Sequence, residues 1–146
     1  MIWPMESLAG IVTELLAATA ARRVTVRADR PDATFPVVAE ALAPGVLSIS
    51  GPSTIDLRAS ATFQYLERTL GTLVQEDLLA TDTPPPPELI TQYGARAQML
   101  AAVAVDGRLA AFLSVHDGPA PRRWSEADVA ALEDTAARVA LALAEG

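Results

Sequence analysis

The sequence predicts an α+β fold: an antiparallel sheet with the terminal helices packed on one face and a lid of short helices and loops over a pocket on the other. Three observations lead there. Ala97–Val105 and Arg108–His116 are apolar runs separated by Asp106-Gly107, a dipeptide suited to a type I′ turn because both central positions require φ > 0. Both faces of both runs are largely apolar, so each side of this central hairpin needs a cover. Amphipathic helices at the two ends of the chain supply one cover, and some forty residues of short, breaker-interrupted pieces before the hairpin supply the other.

In chain order, Leu8, Ile11, Val12, Leu15 and Leu16 recur at helical spacing and predict an amphipathic first helix. Arg23–Arg27 alternates polar and apolar and reads as a strand with one buried face. Arg30-Pro31-Asp32 turns the chain. Phe35–Leu42 is a second strand, placed at an edge because Pro36 cannot donate to a ladder. Val46–Ser50 is a short continuation. Ser60 caps a helix carrying Phe63, Leu66 and Leu70 and ended by Gly71. Leu73–Gln75 is a brief strand, Glu76-Asp77 opens a turn of helix, Pro84–Pro87 is extended, and Glu88–Tyr93 forms a short helix before the hairpin. Ser125 and Asp128 form a capping box for the last helix, whose stripe of Val129, Leu132, Ala136, Val139 and Leu143 is narrow, as in a helix–helix seam. The whole of 1–146 is read as one domain.

Composition removes several chemistries. The chain has no cysteine, which excludes disulfides, thiolate nucleophiles and cysteine metal sites. All 11 basic residues are arginine, which excludes Schiff-base lysine chemistry. His116 is the single histidine, so a multi-histidine metal site is impossible and no metal is expected. A net charge of −7 argues against a nucleic-acid partner. Arg22, Arg23, Arg27 and Arg30 read as a solvated strand face, with an anionic ligand or partner as the alternative. The first helix is too short to span a bilayer and carries Glu6 and Glu14 without a basic leader, so no membrane association is expected and the protein is placed in the cytoplasm.

The candidate pocket residues come from the hairpin and the lid. In ideal hairpin register His116 shares a face with Met99, Phe112 and Ser114, an apolar wall with two polar handles. Gln98, of opposite parity to Met99, is a further candidate. Tyr93 and Arg96, just before the hairpin, are placed to clamp a carboxylate, or else to pack and pair at the surface. Tyr65 and Phe63 lie in the lid as core residues, one of which could line the cavity.

The order and spacing of Val74-Gln75-Glu76-Asp77-Leu78-Leu79, Tyr93-Gly94-Ala95-Arg96-Ala97-Gln98-Met99-Leu100, Asp106-Gly107-Arg108-Leu109, Val115-His116 and Pro121-Arg122-Arg123-Trp124-Ser125 resemble GAF domains. The likeness is to the subset that binds linear tetrapyrroles in phytochromes and cyanobacteriochromes. The resemblance implies a GAF-like sheet with a small-molecule pocket under the lid, a ligand-facing role for His116, a place near the ligand for Asp77, and homodimer pairing through the terminal helices. This chain departs from the subset in lacking the cysteine that attaches the chromophore, and in having Ala110-Ala111 where a Trp-Gly pair is usual. No covalent chromophore is therefore expected, and no cofactor is assigned, with haem ligation by His116 as the alternative. The expected function is a small-molecule-binding sensory or regulatory domain, homodimeric, passing its signal to a separate output protein. The alternatives are a cofactor-free enzyme acting on a small acid, and a protein-interaction module whose cavity its own side chains fill.

Overall fold

The computed structural model describes residues 7–50 and 55–145. Helix α1 (Leu8–Thr19) leads into strands β1 (Arg23–Ala28) and β2 (Val37–Leu42). A single 3₁₀ turn at Leu57–Ala59, helix α2 (Ala61–Thr69), strand β3 (Thr72–Gln75) and the short helix α3 (Pro87–Thr91) follow. The chain ends with β4 (Ala97–Val105), β5 (Arg108–Asp117) and helix α4 (Glu126–Glu145). The strands form one five-stranded antiparallel sheet in the order β2-β1-β5-β4-β3. The β4–β5 hairpin therefore lies inside the sheet, and β2 is an edge as Pro36 required.

Helices α1, α2 and α4 start where the sequence supplies a capping side chain, and α3 starts at Pro87 without one. The Ser7 hydroxyl accepts from the Gly10 amide at 3.0 Å and the Ser60 hydroxyl from the Phe63 amide at 3.2 Å. At α4 the box is reciprocal: the Asp128 amide donates to Ser125 Oγ at 3.0 Å and the Ser125 amide to Asp128 Oδ2 at 2.9 Å. Asp106 and Gly107 take φ of 54° and 76°, the left-handed pair that a type I′ turn needs.

The two faces of the sheet have different contents. Val24, Val26, Met99, Val103, Leu113 and Val115 point to one side and pack on α1 and α4 through Ile11, Val12, Leu15, Leu132 and Val139. The terminal helices lie side by side there, joined at their surface by Arg138 Nη2 and Glu14 Oε2 at 3.0 Å. Trp124, just before the α4 cap, is buried in the same core and donates its indole N–H to the Gln75 carbonyl at 3.1 Å. On the other face Phe35, Phe63 and Phe112 meet edge to face and tilted, with centroids 5.0 to 6.0 Å apart, and Leu66 and Leu100 complete that cluster.

Four expectations need correction. The hairpin register slips by one residue between Val103 and Ala104: Ala104 pairs with Leu109 but Val103 pairs with Ala111, which leaves Ala110 as the extra residue of a bulge. The Ala110 carbonyl instead accepts from the Asp29 amide at 2.9 Å. Strand β1 is buried on both faces rather than one, because the terminal helices cover its Val24 and Val26 face and the lid and strap cover its polar face. Val46–Ser50 is irregular, not a strand; the guanidinium of Arg23 and the carboxylate of Glu40 hold it through the Leu47 carbonyl and the Ile49 amide. Glu76-Asp77 forms a turn without helix, in which Asp77 Oδ1 accepts from the Leu79 amide at 3.0 Å.

Candidate functional site

The bulge decides which side chains reach the space under the lid. Beyond Ala110 the pairs are Ala102 with Phe112, Leu100 with Ser114, and Gln98 with His116. These six share the lid face, and β1 extends the row with Arg27 beside Phe112, Thr25 beside Ser114 and Arg23 beside His116. Phe63, Leu66, Ser60 and Thr62 from α2 and its cap, Leu57 and Ile55 before it, Ile49 from the irregular strap, and Pro86 and Leu89 near α3 form the roof. The volume open to the centre of a water molecule is about 30 Å³. That is room for roughly two or three waters.

The floor is polar and almost entirely withdrawn from solvent. Arg23, 1% exposed, donates to the Leu47 carbonyl from Nε at 3.2 Å and from Nη2 at 2.6 Å, and to the Tyr93 carbonyl at 3.2 Å. Its Nη1 lies 3.3 Å from His116 Nδ1. A guanidinium has no acceptor, so Nδ1 is the lone-pair nitrogen and Nε2 carries the imidazole proton. Burial, followed by the positive charges of Arg23 and Arg27, lowers the His116 pKa to about 3, so the ring is neutral at physiological pH. Burial likewise lowers Arg23 and Arg27 from their ordinary value, opposed by the more distant Glu40. Arg27, 8% exposed, donates from Nη1 to the Phe35 carbonyl at 3.0 Å.

The orientation of Gln98 follows from its neighbours. Gln75 donates from Nε2 to the Thr83 carbonyl at 2.7 Å, an acceptor only, so its Oε1 faces Gln98 and receives Gln98 Nε2 at 2.8 Å. Gln98 Oε1 is then left buried with no partner among the described residues. On the next rung Thr25 donates its hydroxyl to Ser114 Oγ at 3.2 Å, which leaves the Ser114 proton for the cavity.

Of the residues singled out in the sequence, Gln98, Phe112, Ser114 and His116 line the cavity. Met99 does not: the slipped register turns it into the helix-side core, opposite Val115. Arg96 is not a ligand clamp in this arrangement but a partner of Asp77, Nε to Oδ1 at 2.7 Å and Nη2 to Oδ2 at 3.2 Å. That pairing holds the Asp77 carboxyl below its usual range and takes both residues out of the cavity lining. Tyr93 offers its carbonyl and ring to Arg23, with the guanidinium carbon 5.7 Å from the ring centroid. Tyr65 packs at the edge of the phenylalanine cluster, and its hydroxyl lies 3.5 Å from the Thr72 carbonyl. Tyr65 is thus outside the cavity, and Phe63 is the lid aromatic that lines it.

Sequence reasoning missed Ser60 and Thr62, and it read Arg27 as part of a solvated strand face with an anionic ligand only as the alternative. The alternation of Arg23, Thr25 and Arg27 with Val24 and Val26 fits a half-exposed strand equally well, and the lid over that face is what turns the polar set inward. Among the described residues no cluster of His, Asp or Glu is arranged to hold a metal ion. None of the described helices is long and apolar enough to cross a membrane.

Comparison with known proteins agrees with this architecture. The blue-light-absorbing form of the Thermosynechococcus elongatus PixJ GAF domain superposes with a TM-score of 0.73 at 19% identity, over 94% of this chain and 83% of that one. The photoproduct state of GAF3 from Slr1393 of Synechocystis sp. PCC6803 gives 0.74 at 19% identity, over 92% and 90%. The far-red-absorbing dark state of JSC1_58120g3 with bound biliverdin gives 0.73 at 19% identity, over 92% and 85%. No curated protein matches the chain. The residues do not fit a covalently held bilin, because no cysteine exists to attach it, and two or three waters' worth of space is far smaller than a tetrapyrrole. The model of the GAF domain matches residues 5–143, and with that match spanning nearly the whole sequence, the chain belongs to the GAF family.

Proposed function

We propose that this GAF domain is a sensory or regulatory module that holds a small molecule non-covalently between sheet and lid. The observation that carries the reading is Gln98 Oε1, a buried acceptor without a partner among the described residues, on a side chain that lines the cavity beside an imidazole and a hydroxyl. An unsatisfied buried acceptor is costly, and a ligand that donates to it removes the cost. That JSC1_58120g3, a chain of similar fold, has bound biliverdin supports a ligand here, though of a different kind. A ligand that prefers one arrangement of α2 and the strap shifts their population, and the link from Gln98 through Gln75 to Trp124 gives that shift a route to α4.

In the same reading the domain works in the cytoplasm as a homodimer through α1 and α4 and signals to a separate output protein. Leu141, 67% exposed on α4, supplies apolar surface for such a pairing. Light scattering of the wild type and of Leu141→Glu tests it: a dimer that the substitution dissociates is expected, and a monomeric wild type sinks the dimer.

Mass spectrometry of freshly purified protein under native and then denaturing conditions, with an absorbance spectrum, tests the ligand. A discrete adduct lost on denaturation is expected. A bare mass together with no stabilisation by any added small molecule would favour instead a cavity filled by its own side chains, a reading that its small volume supports.

A further inference from the structure

We infer that the cavity takes a small organic anion that also carries a hydrogen-bond donor, a hydroxy acid in chemical class, with Arg27 receiving the carboxylate and Gln98 the donor. The inference rests on the small-molecule reading above and adds the ligand's chemistry.

Charge comes first. The protein is acidic overall, at −7, yet among the described residues no Asp or Glu lines the cavity, while Arg27 lines it and Arg23 lies beside His116 on the same face. Neither Arg23 nor Arg27 has a carboxylate within ion-pair distance among the described residues, whereas Arg58, Arg96, Arg122, Arg123 and Arg138 each do. Arg23 is accounted for by two carbonyls and the imidazole. Arg27 is not: of its five N–H donors, one is used among the described residues, on the Phe35 carbonyl. A largely buried guanidinium that lines the cavity with most of its donors unspent is complementary to a planar oxyanion, which accepts two of them side by side.

Polarity of the hydrogen bonds gives the rest. Among the described residues the Ser114 hydroxyl proton and the His116 Nε2 proton have no acceptor, so together with Arg27 the floor offers donors at three positions. Gln98 Oε1 is, among the described residues, the single orphaned buried acceptor, and the Thr83–Gln75–Gln98 chain of bonds prevents the amide from flipping to become a donor. An anion with no proton to donate, such as nitrate, satisfies the donors and leaves Gln98 unsatisfied; a neutral alcohol satisfies Gln98 and leaves Arg27 unneutralised. A molecule with a carboxylate and an O–H or N–H satisfies both. The present volume limits it to a few heavy atoms unless the lid moves.

A matched series of probes tests the assignment: glycolate has both groups, acetate lacks the donor, and glycolamide lacks the charge. Thermal unfolding of the full chain at about 20 mM probe, against sodium chloride of equal ionic strength, is expected to give a glycolate rise of about 2 °C or more, a smaller one for acetate, and none for glycolamide. Arg27→Met abolishes the glycolate shift. Should that variant fail to fold, Gln98→Met serves: it keeps the acetate response and removes glycolate's advantage over acetate. Equal shifts with glycolate and glycolamide, or a glycolate shift that survives Arg27→Met in folded protein, overturn the anion assignment. A neutral compound found bound in the native mass spectrum, with no response to glycolate, overturns it too while leaving the small-molecule reading intact. No bound compound and no response to any probe overturns both.

Discussion

Arg23 Nη1 faces His116 Nδ1 at 3.3 Å across the centre of the sheet, and both side chains are almost completely buried. The contact joins a permanent cation to a group that titrates in the physiological range when free in water. It fixes the tautomer of the imidazole and, with burial, keeps it neutral. The donor character of the cavity floor depends on that neutrality, because Nε2 then carries a proton without the ring adding a third positive charge.

The same contact predicts how stability depends on pH. The folded His116 pKa is about 3 and the unfolded one 6.5, so the unfolded state binds the proton more readily. The contribution is fully present above pH 6.5 and is lost as pH falls from there towards 3. This one group should remove about 2 kcal/mol between pH 7 and pH 5. Urea unfolding at the two pH values measures it. His116→Gln should flatten this part of the profile, and an unchanged profile in that variant would assign the loss to the carboxylates.

Arg23 holds the strap as well as the histidine. Arg23→Met removes donors from the Leu47 and Tyr93 carbonyls and should cost about 3 kcal/mol. Amide hydrogen exchange should locate the loosening at 46–50 before the helix-side core responds. Protection lost evenly over the sheet would contradict a strap pinned by this side chain.

Phe63 both packs the lid and lines the cavity. Phe63→Ala should destabilise by about 3 to 5 kcal/mol and open space beside Phe35 and Phe112. Binding of a small apolar probe such as benzene, followed by NMR, should appear in the variant alone. Equal binding to the wild type would mean that the lid already opens without help.

Asp77 is expected to behave as a structural residue. Its carboxylate faces Arg96 and the Leu79 amide. Asp77→Asn should therefore leave the affinity for any cavity ligand unchanged while lowering protection of the Leu79 amide. A large loss of affinity would show that this turn reaches the ligand after all.

The elements were largely legible in the sequence because each is marked locally. Ser60 and the Ser125–Asp128 pair announce helix starts, Asp106-Gly107 admits one kind of turn, and Pro36 belongs at an edge. The site was legible only in part, because its composition depends on register, and nothing local sets the register here. Ala110 and Ala111 are interchangeable in size and polarity, and the neighbouring positions are apolar on both faces, so an ideal hairpin and a bulged one fit the pattern equally well. Met99 was accordingly exchanged for the Gln98 face. Arg27 was hidden for a different reason: its strand alternates as a half-exposed strand would, and only its place between two neighbours under a lid shows that the polar half is inward.

The bulge also has a genetic reading. The codon of Ala110 is the one the ladder does not use: without it Val103 would still pair with Ala111, and Phe112, Ser114 and His116 would still stand opposite Ala102, Leu100 and Gln98. An in-frame deletion of that codon therefore straightens β5 and keeps all three residues under the lid, whereas keeping the codon in an unbulged hairpin would turn them to the terminal helices. A gap at Ala110 in an alignment of relatives is accordingly no mark of a lost site.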